Sequence, residues 1–270
     1  MKPTHNNTII TITKLVLYYF AYQLGFSSVA MGLSHLGVAM DMTMMTSLAM
    51  VASTLIMAWH LIHFGYVSLA ADRYREVSLS TLGVSIVFIF TAMYVLNLLI
   101  EQIGIPNTLE DIFLDMSSNP LGIISMALLA PILEELLFRG AIQGYLIASG
   151  SRPWIAITIA SLIFGVVHLN PAQIPFAFLL GMMFGWLYYR TGSLLPGIVG
   201  HILNNSIATL GMILYGDTTI EEQMPSDIAI WIWALVALVV FIKAAKWLNR
   251  NLPTPSSPHV SDEEQQVPLP

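Results

Sequence analysis

Long apolar runs alternate along the chain with short polar interruptions, and none of the runs keeps a strand-like period of two. The pattern predicts stacked helices. A helix of roughly 20 apolar residues is long enough to cross a bilayer. Eight such runs can be drawn: Leu15 to Gly32, Met44 to Leu69, Thr81 to Ile100, Leu121 to Ile147, Trp154 to Leu169, Ile174 to Tyr189, Leu194 to Tyr215 and Ile228 to Leu248. The fifth and sixth are short, and "HLNPAQIP" between them reads as a tight turn held by Pro171 and Pro175. No small-residue cleavage site follows the first run, so it is expected to be a retained helix and not a signal peptide.

Two stretches do not fit the spanning pattern. "NTLEDIFLDM" sets Leu109, Ile112, Phe113 and Met116 at helical spacing, with Glu110, Asp111 and Asp115 on another face. It predicts a short amphipathic helix lying on the outer surface, with Thr108 as its N-cap. The segment after Asn249 is rich in Pro and Ser and ends acidic, which predicts disorder.

Charge placement gives the eight runs an orientation. Lys2 and Lys14 precede the first, Arg73 and Arg75 follow the second, Arg152 follows the fourth, Arg190 the sixth, and Lys243, Lys246 and Arg250 close the last. The intervening connections carry neither Lys nor Arg. Basic and non-basic connections therefore alternate, which under the positive-inside rule puts both termini in the cytosol. The expected organisation is a three-helix membrane region with the outer amphipathic helix over 1–120, a core over 121–215, a last transmembrane helix over 216–250 and a disordered tail over 251–270.

Composition agrees and excludes other classes. The 270 residues are 56% hydrophobic and 10% charged, with mean hydropathy +0.73, whereas soluble domains carry about 25% charged residues. The expected fold is an all-α, polytopic bundle of about eight transmembrane helices. Cysteine is absent, which removes disulfides, thiolate metal sites and a cysteine nucleophile. A net charge of −6 with ten Lys and Arg, most flanking apolar runs, leaves no nucleic-acid footprint. Membrane lipids and a protein or peptide substrate at the membrane are the expected partners.

Against this background "PILEELLFRGAIQG" stands out, because it sets Glu134, Glu135 and Arg139 inside an apolar run. An ionisable residue at mid-bilayer costs about 2.5 to 3.5 kcal/mol on insertion scales and usually faces the protein interior. Arg139 lies four residues after Glu135 and can pair with it on one helix face. Glu134 points about 100° away and lacks that partner. An unpaired carboxylate can accept or donate a proton. One glutamate is thus expected to be structural and its neighbour chemical.

Two further polar clusters fall on other runs: His168 in "SLIFGVVHLNP", and His201 with Asn205, four apart, in "GHILNNS". Counted from the cytosolic ends at 1.5 Å per residue, Glu134 and His168 lie at about 21 Å, and His201 at roughly 12 Å. Helix tilt can absorb part of that mismatch. One carboxylate, two imidazoles and an amide suffice for hydrolysis of an amide by activated water, with a base for the water and donors for the oxyanion. Two His and one Glu are equally a catalytic zinc set with an open position.

In order and spacing, "EELLFRG", "FGVVH" and "HILNN" resemble the E-E-x-x-x-R, F-x-x-x-H and H-x-x-x-N motifs of the CAAX-protease and bacteriocin-processing (CPBP, or Abi) family of intramembrane endopeptidases. The likeness covers about Leu121 to Tyr215. It implies that Glu134 activates water, that His168 assists at the same water, that His201 and Asn205 stabilise the oxyanion, and that Glu135 with Arg139 orders the site. The family is described both as glutamate proteases and as metalloproteases. Asn205 suits an oxyanion hole better than a zinc shell, so the glutamate mechanism is favoured; a zinc version would use Glu134, His168 and His201. The implied substrate is a peptide bond in a membrane-associated protein or peptide, and the implied location is the plasma (inner) membrane.

Blander readings accompany each of these residues. The charged trio alone could fix helix packing, His168 beside Asn170 could be an interfacial histidine bonded to a carbonyl, and His201 with Asn205 could be interhelical polar glue. Asn204 is given no role, because the i, i+4 face selects Asn205. His60 and His63 are read as interfacial, His35 as solvated, and Met42, Met44 and Met45 as lipid-facing or core. Gly181 and Gly185 are read as close packing within the protein. Two other function classes stay open: a non-catalytic scaffold or immunity factor of the same fold, and a proton-coupled transporter. Against the transporter, the charged positions gather in three neighbouring runs and no inverted repeat is visible.

Overall fold

The computed structural model describes residues 5–67, 77–216 and 227–252. Nine helical segments account for them: α1 His5–His35, α2 Met42–His63, α3 Leu79–Ile103, α4 Glu110–Ser117, α5 Pro120–Ala148, α6 Pro153–Val166, α7 Gln173–Thr191, α8 Leu195–Tyr215 and α9 Asp227–Asn251. Among the described residues there is no strand. Six of the helices, α1, α2, α3, α5, α8 and α9, are long and apolar enough to cross a membrane. The protein is a multi-pass integral membrane protein. Lys2, Arg73 and Arg75, three of the residues that set the expected orientation, lie outside the described residues, as do residues 253–270 of the tail read as disordered; its first residues, Arg250 and Asn251, instead complete α9.

The helix ends follow from short polar signals. Asp41 accepts the Met44 N–H at 3.2 Å to open α2, and Ser78 Oγ accepts the Thr81 N–H at 3.2 Å to open α3. Asn119 does the same for α5, accepting the Gly122 N–H at 2.9 Å, with Pro120 following it. Each side-chain oxygen satisfies a donor that a helix N-terminus leaves orphaned. Gly192 ends α7 in the left-handed conformation, at φ +68°.

Two expectations are corrected here. Thr108 does not cap α4: the N-cap is Leu109, which makes no side-chain cap bond, and the Thr108 N–H is spent on Asn170 Oδ1 at 3.2 Å. Pro175 does not belong to the α6–α7 turn but to the first turn of α7, where a missing N–H costs nothing. The turn is held by the Asn170 carbonyl, which accepts the N–H groups of Gln173 at 2.9 Å and Ile174 at 3.0 Å.

Helix α5 is the centre of the bundle. Leu133, Leu137, Phe138 and Ile142 of α5 are buried against Leu15 of α1, Met57 and Leu61 of α2, and Ala156, Ala160 and Phe164 of α6. A second core joins Phe88 and Ile89 of α3, Phe184 and Leu187 of α7, and Leu248 of α9. The outer flanks, such as Trp231, Trp233 and Leu235 of α9, stay exposed and apolar, as lipid-facing surface requires.

One feature of α5 has no counterpart in a hydrophobicity pattern. The helix is α-helical at its ends and centre but widens to π-helix over Ser125–Leu129 and again over Glu135–Gln143. Such π segments are rare and are frequent at functional sites. The second one contains Glu135 and Arg139.

Candidate active site

The buried charge pair forms as the i, i+4 spacing predicts. Arg139 Nη1 lies 3.0 Å from Glu135 Oε1, and both side chains are 1% exposed. The guanidinium is also sandwiched between aromatic rings, 4.3 Å from the Phe164 centroid and 5.2 Å from that of Phe184. A desolvated cation over a ring gains about 2 kcal/mol, which offsets part of the cost of burying the charge.

His201 joins the two glutamates. Its Nδ1 donates to Glu135 Oε1 at 3.0 Å, and its Nε2 lies 3.4 Å from Glu134 Oε2. The depth mismatch anticipated for His201 is thus closed in the folded chain, and the imidazole reaches both carboxylates through opposite nitrogens. The ring stacks on Phe184 at 4.9 Å and meets Phe164 edge-on at 5.6 Å. Glu134 differs from its neighbour: it is 13% exposed, and its partner is the 3.4 Å contact to His201.

His168 meets the same Phe164 ring edge-on at 4.9 Å. Its Nδ1–H donates to the Phe164 carbonyl at 2.7 Å, which leaves Nε2 as the acceptor nitrogen. Among the described residues no hydrogen bond or ion pair joins His168 to Glu134, and both are partly exposed. Asn205 is engaged elsewhere, donating from Nδ2 to the Met126 carbonyl at 3.0 Å, inside the first π segment. Asn204, given no role on helical spacing, is buried and donates to Asn205 Oδ1 at 2.8 Å. It therefore fixes the orientation of the Asn205 amide.

Several residues that shape the site carry no charge and went unread in the sequence. Gly197 faces Glu135, and a Cβ there would lie 2.7 Å from Oε2. Gly181 and Gly185 do serve packing within the protein: their Cβ positions would fall 3.0 Å from Arg139 Nη2 and 2.6 Å from Gln143 Oε1. Gln143, fully buried, donates to the Gly185 carbonyl at 2.9 Å. From α1, Tyr19 hydrogen-bonds Gln23 and lies within electrostatic reach of Glu134, while Gln23 accepts from Ser53 Oγ of α2 at 3.1 Å. Ser53 of α2 is thus linked through Gln23 to the Tyr19 that α1 brings towards Glu134.

The histidines of α2 are not a matched interfacial pair. His60 is buried among Tyr18, Tyr22, Phe64 and Tyr66, and Nδ1 is bonded to the Tyr22 hydroxyl at 3.0 Å. His63 is exposed and stacks on Trp59 at 4.7 Å. His60 is corrected to a core residue of an aromatic cluster.

Among the described residues no three His, Asp or Glu side chains gather into a group that could hold a metal ion. Both ring nitrogens of His201 face glutamates, and Nδ1 of His168 is committed to a backbone carbonyl. Glu134, His168 and His201 do not fit a zinc ion in this arrangement.

The fold is thus an all-helical membrane bundle with a buried carboxylate–guanidinium–imidazole cluster. Residues 116–207 match the family described as type II CAAX prenyl endopeptidase Rce1-like. The chain is 34% identical over 104 residues to the putative membrane peptidase YdiL of Bacillus subtilis (strain 168), covering 38% of this chain and 42% of that protein. It is 33% identical over 114 residues to the membrane-embedded CAAX protease MroQ of Staphylococcus aureus (strain USA300), covering 40% of this chain and 46% of that protein. The chain spans less than half the length of these curated relatives. No solved structure matches it. Over residues 116–207 the chain is similar to the CAAX-protease (CPBP) family.

Proposed function

We propose that the protein is an intramembrane endopeptidase that hydrolyses a peptide bond in a membrane-associated protein or peptide, with Glu134 as the base that activates water. The observation that carries this reading is the divergence of two adjacent glutamates. Glu135 is sealed and holds both Arg139 and His201, whereas Glu134 is partly exposed and makes its ion-pair contact with His201, not with the arginine. A carboxylate with a structural job is enclosed; one that must meet water and substrate has to stay open.

In this reading Glu134 takes a proton from water, and the hydroxide oxygen attacks the carbonyl carbon. The carbonyl electron pair passes to oxygen. The donors assigned to that oxyanion are the second Asn205 amide hydrogen, which the Met126 carbonyl leaves unused, and the Nε2–H of His201 as an imidazolium turned from Glu134; preorganised donors act most strongly there. Collapse breaks the C–N bond, and the proton held on Glu134 passes to the leaving amine. One water is consumed, yielding a new carboxyl terminus and a new amino terminus. His168 orients the attacking water through Nε2. Glu135 and Arg139 hold His201 and the π segment in place.

The family description names prenylated CAAX proteins, which makes them the first substrate class to try. We place the enzyme in the plasma (inner) membrane as eight helices, with both termini and the mouth of the site on the cytosolic side. The test compares peptide termini in membrane fractions from cells carrying wild type or Glu134→Gln at equal expression. Termini present with wild type and absent with Glu134→Gln support the protease, and their position reports whether a C-terminal tripeptide is removed. Identical profiles would overturn it.

A further inference from the structure

Leu169 is, among the described residues, the one non-glycine with positive φ, at +53°. A left-handed backbone crowds the Cβ of an L-residue and is disfavoured for leucine. Strain of this kind persists where its surroundings over-determine it, and it clusters at functional sites. Leu169 stands between His168 and Asn170, so the strained residue directly follows a proposed catalytic histidine.

Both sides of Leu169 are pinned. On the α6 side the His168 N–H donates to the Gly165 carbonyl at 3.3 Å and the Leu169 N–H to the Val166 carbonyl at 3.1 Å. The His168 ring is tied to the Phe164 carbonyl through Nδ1. On the other side stands Asn170, which is 0% exposed. Its carbonyl starts α7 by accepting from Gln173 and Ile174. Its side chain closes on the loop between α3 and α4: Nδ2 donates to Asn107 Oδ1 at 2.7 Å, and Oδ1 accepts the Thr108 N–H at 3.2 Å.

We propose that Asn170, clasped by Asn107 and Thr108, is a positioning residue for His168. The clasp holds Leu169 in its left-handed conformation. That conformation in turn keeps the imidazole where Nδ1–H reaches the Phe164 carbonyl and Nε2 is the nitrogen offered to water. A histidine works as base or water-orienting group in one tautomer, which the bond to its other nitrogen selects. Asn107 and Thr108 precede the family core that begins at residue 116. A loop outside the recognised motifs therefore sets the geometry of a residue inside them. The inference rests on the proteolytic reading for its consequence in activity, but not for its consequence at the imidazole.

The test uses the full chain in detergent micelles with 15N-labelled histidine, the His168 ring signals being identified by their loss in His168→Gln. Wild type is expected to show one fixed Nδ1–H tautomer at His168. Asn170→Ala, which also strips the Thr108 N–H of its acceptor, is expected to give averaged tautomers. It should lower the yield of protease-dependent termini by up to about 100-fold, the loss that a misplacement of about 1 Å can cause. Asn107→Ala should move both readouts in the same direction by less, and Asn107→Asp, which keeps an acceptor for Asn170 Nδ2, should restore both. A His168 signature unchanged in Asn170→Ala overturns the proposal, as does Asn107→Asp behaving like Asn107→Ala. If Asn170→Ala does not insert, the Asn107 pair decides alone. A Glu134→Gln protein with wild-type termini would sink the protease and leave the tautomer result to judge the clasp.

Discussion

Gly197 of α8 lies so close to Glu135 of α5 that a Cβ on it would stand 2.7 Å from Oε2 of the carboxylate. The glycine is what lets α8 approach α5 closely enough for His201, one turn further on, to reach both glutamates. Gly197→Ala must push the carboxylate or the helix aside. Overpacking of this kind costs about 1 to 3 kcal/mol. The expected outcome is a lower unfolding temperature in micelles together with loss of cleavage, because the displaced group holds His201.

Arg139 is buried with Glu135 and between two phenylalanine rings. Removing one partner of a buried pair strands the other charge and costs about 3 to 5 kcal/mol. Arg139→Met should therefore unfold more easily than Arg139→Met/Glu135→Met, which strands no charge and costs only the hydrogen bond from His201 Nδ1. Arg139→Lys keeps the charge but not the planar stacking surface, and it should fall between wild type and Arg139→Met. Thermal unfolding of the four proteins checks the order.

Asn205 holds the Met126 carbonyl through one amide N–H and is itself held by Asn204. Loss of one oxyanion donor costs on the order of 100-fold or more in rate. Asn205→Ala should show at least that loss with the protein still inserted. Asn204→Ala should show a smaller loss, since it frees the amide to rotate without removing it. Equal activity of Asn204→Ala and wild type would separate Asn204 from the site.

Chelation addresses the metal directly. The glutamate mechanism predicts that cleavage survives exhaustive chelation and that purified, active protein contains no stoichiometric zinc. Loss of activity on chelation with recovery on adding zinc would contradict it.

What could be read from the sequence was whatever depends on spacing along one helix or on bulk polarity. The Glu135–Arg139 pair followed from a separation of four residues, and the long helices from their apolar length. The packing role of Gly181 and Gly185 followed from the same logic. What could not be read depends on partners far apart in the chain. Helical spacing favoured Asn205 over Asn204, yet the structure buries Asn204 and uses it to orient its neighbour. Thr108 looked like an N-cap because nothing local shows that Asn170, 62 residues later, takes its N–H. Tyr19 lay in an ordinary apolar run, and only the packing of α1 on α5 brings it beside Glu134. The π widening at Glu135 leaves no mark on hydrophobic periodicity, because the whole segment is buried.

The central claim is that Glu134 and Glu135, adjacent in the chain, do different work, and one paired measurement on Glu134→Gln and Glu135→Gln tests it. Each variant is assayed for protease-dependent termini in membranes and for thermal unfolding in micelles. The account predicts that Glu134→Gln abolishes cleavage with an unfolding temperature close to wild type. It predicts that Glu135→Gln, which strands the buried Arg139, loses both cleavage and stability. An active Glu134→Gln, or a Glu135→Gln as stable as wild type, would contradict it.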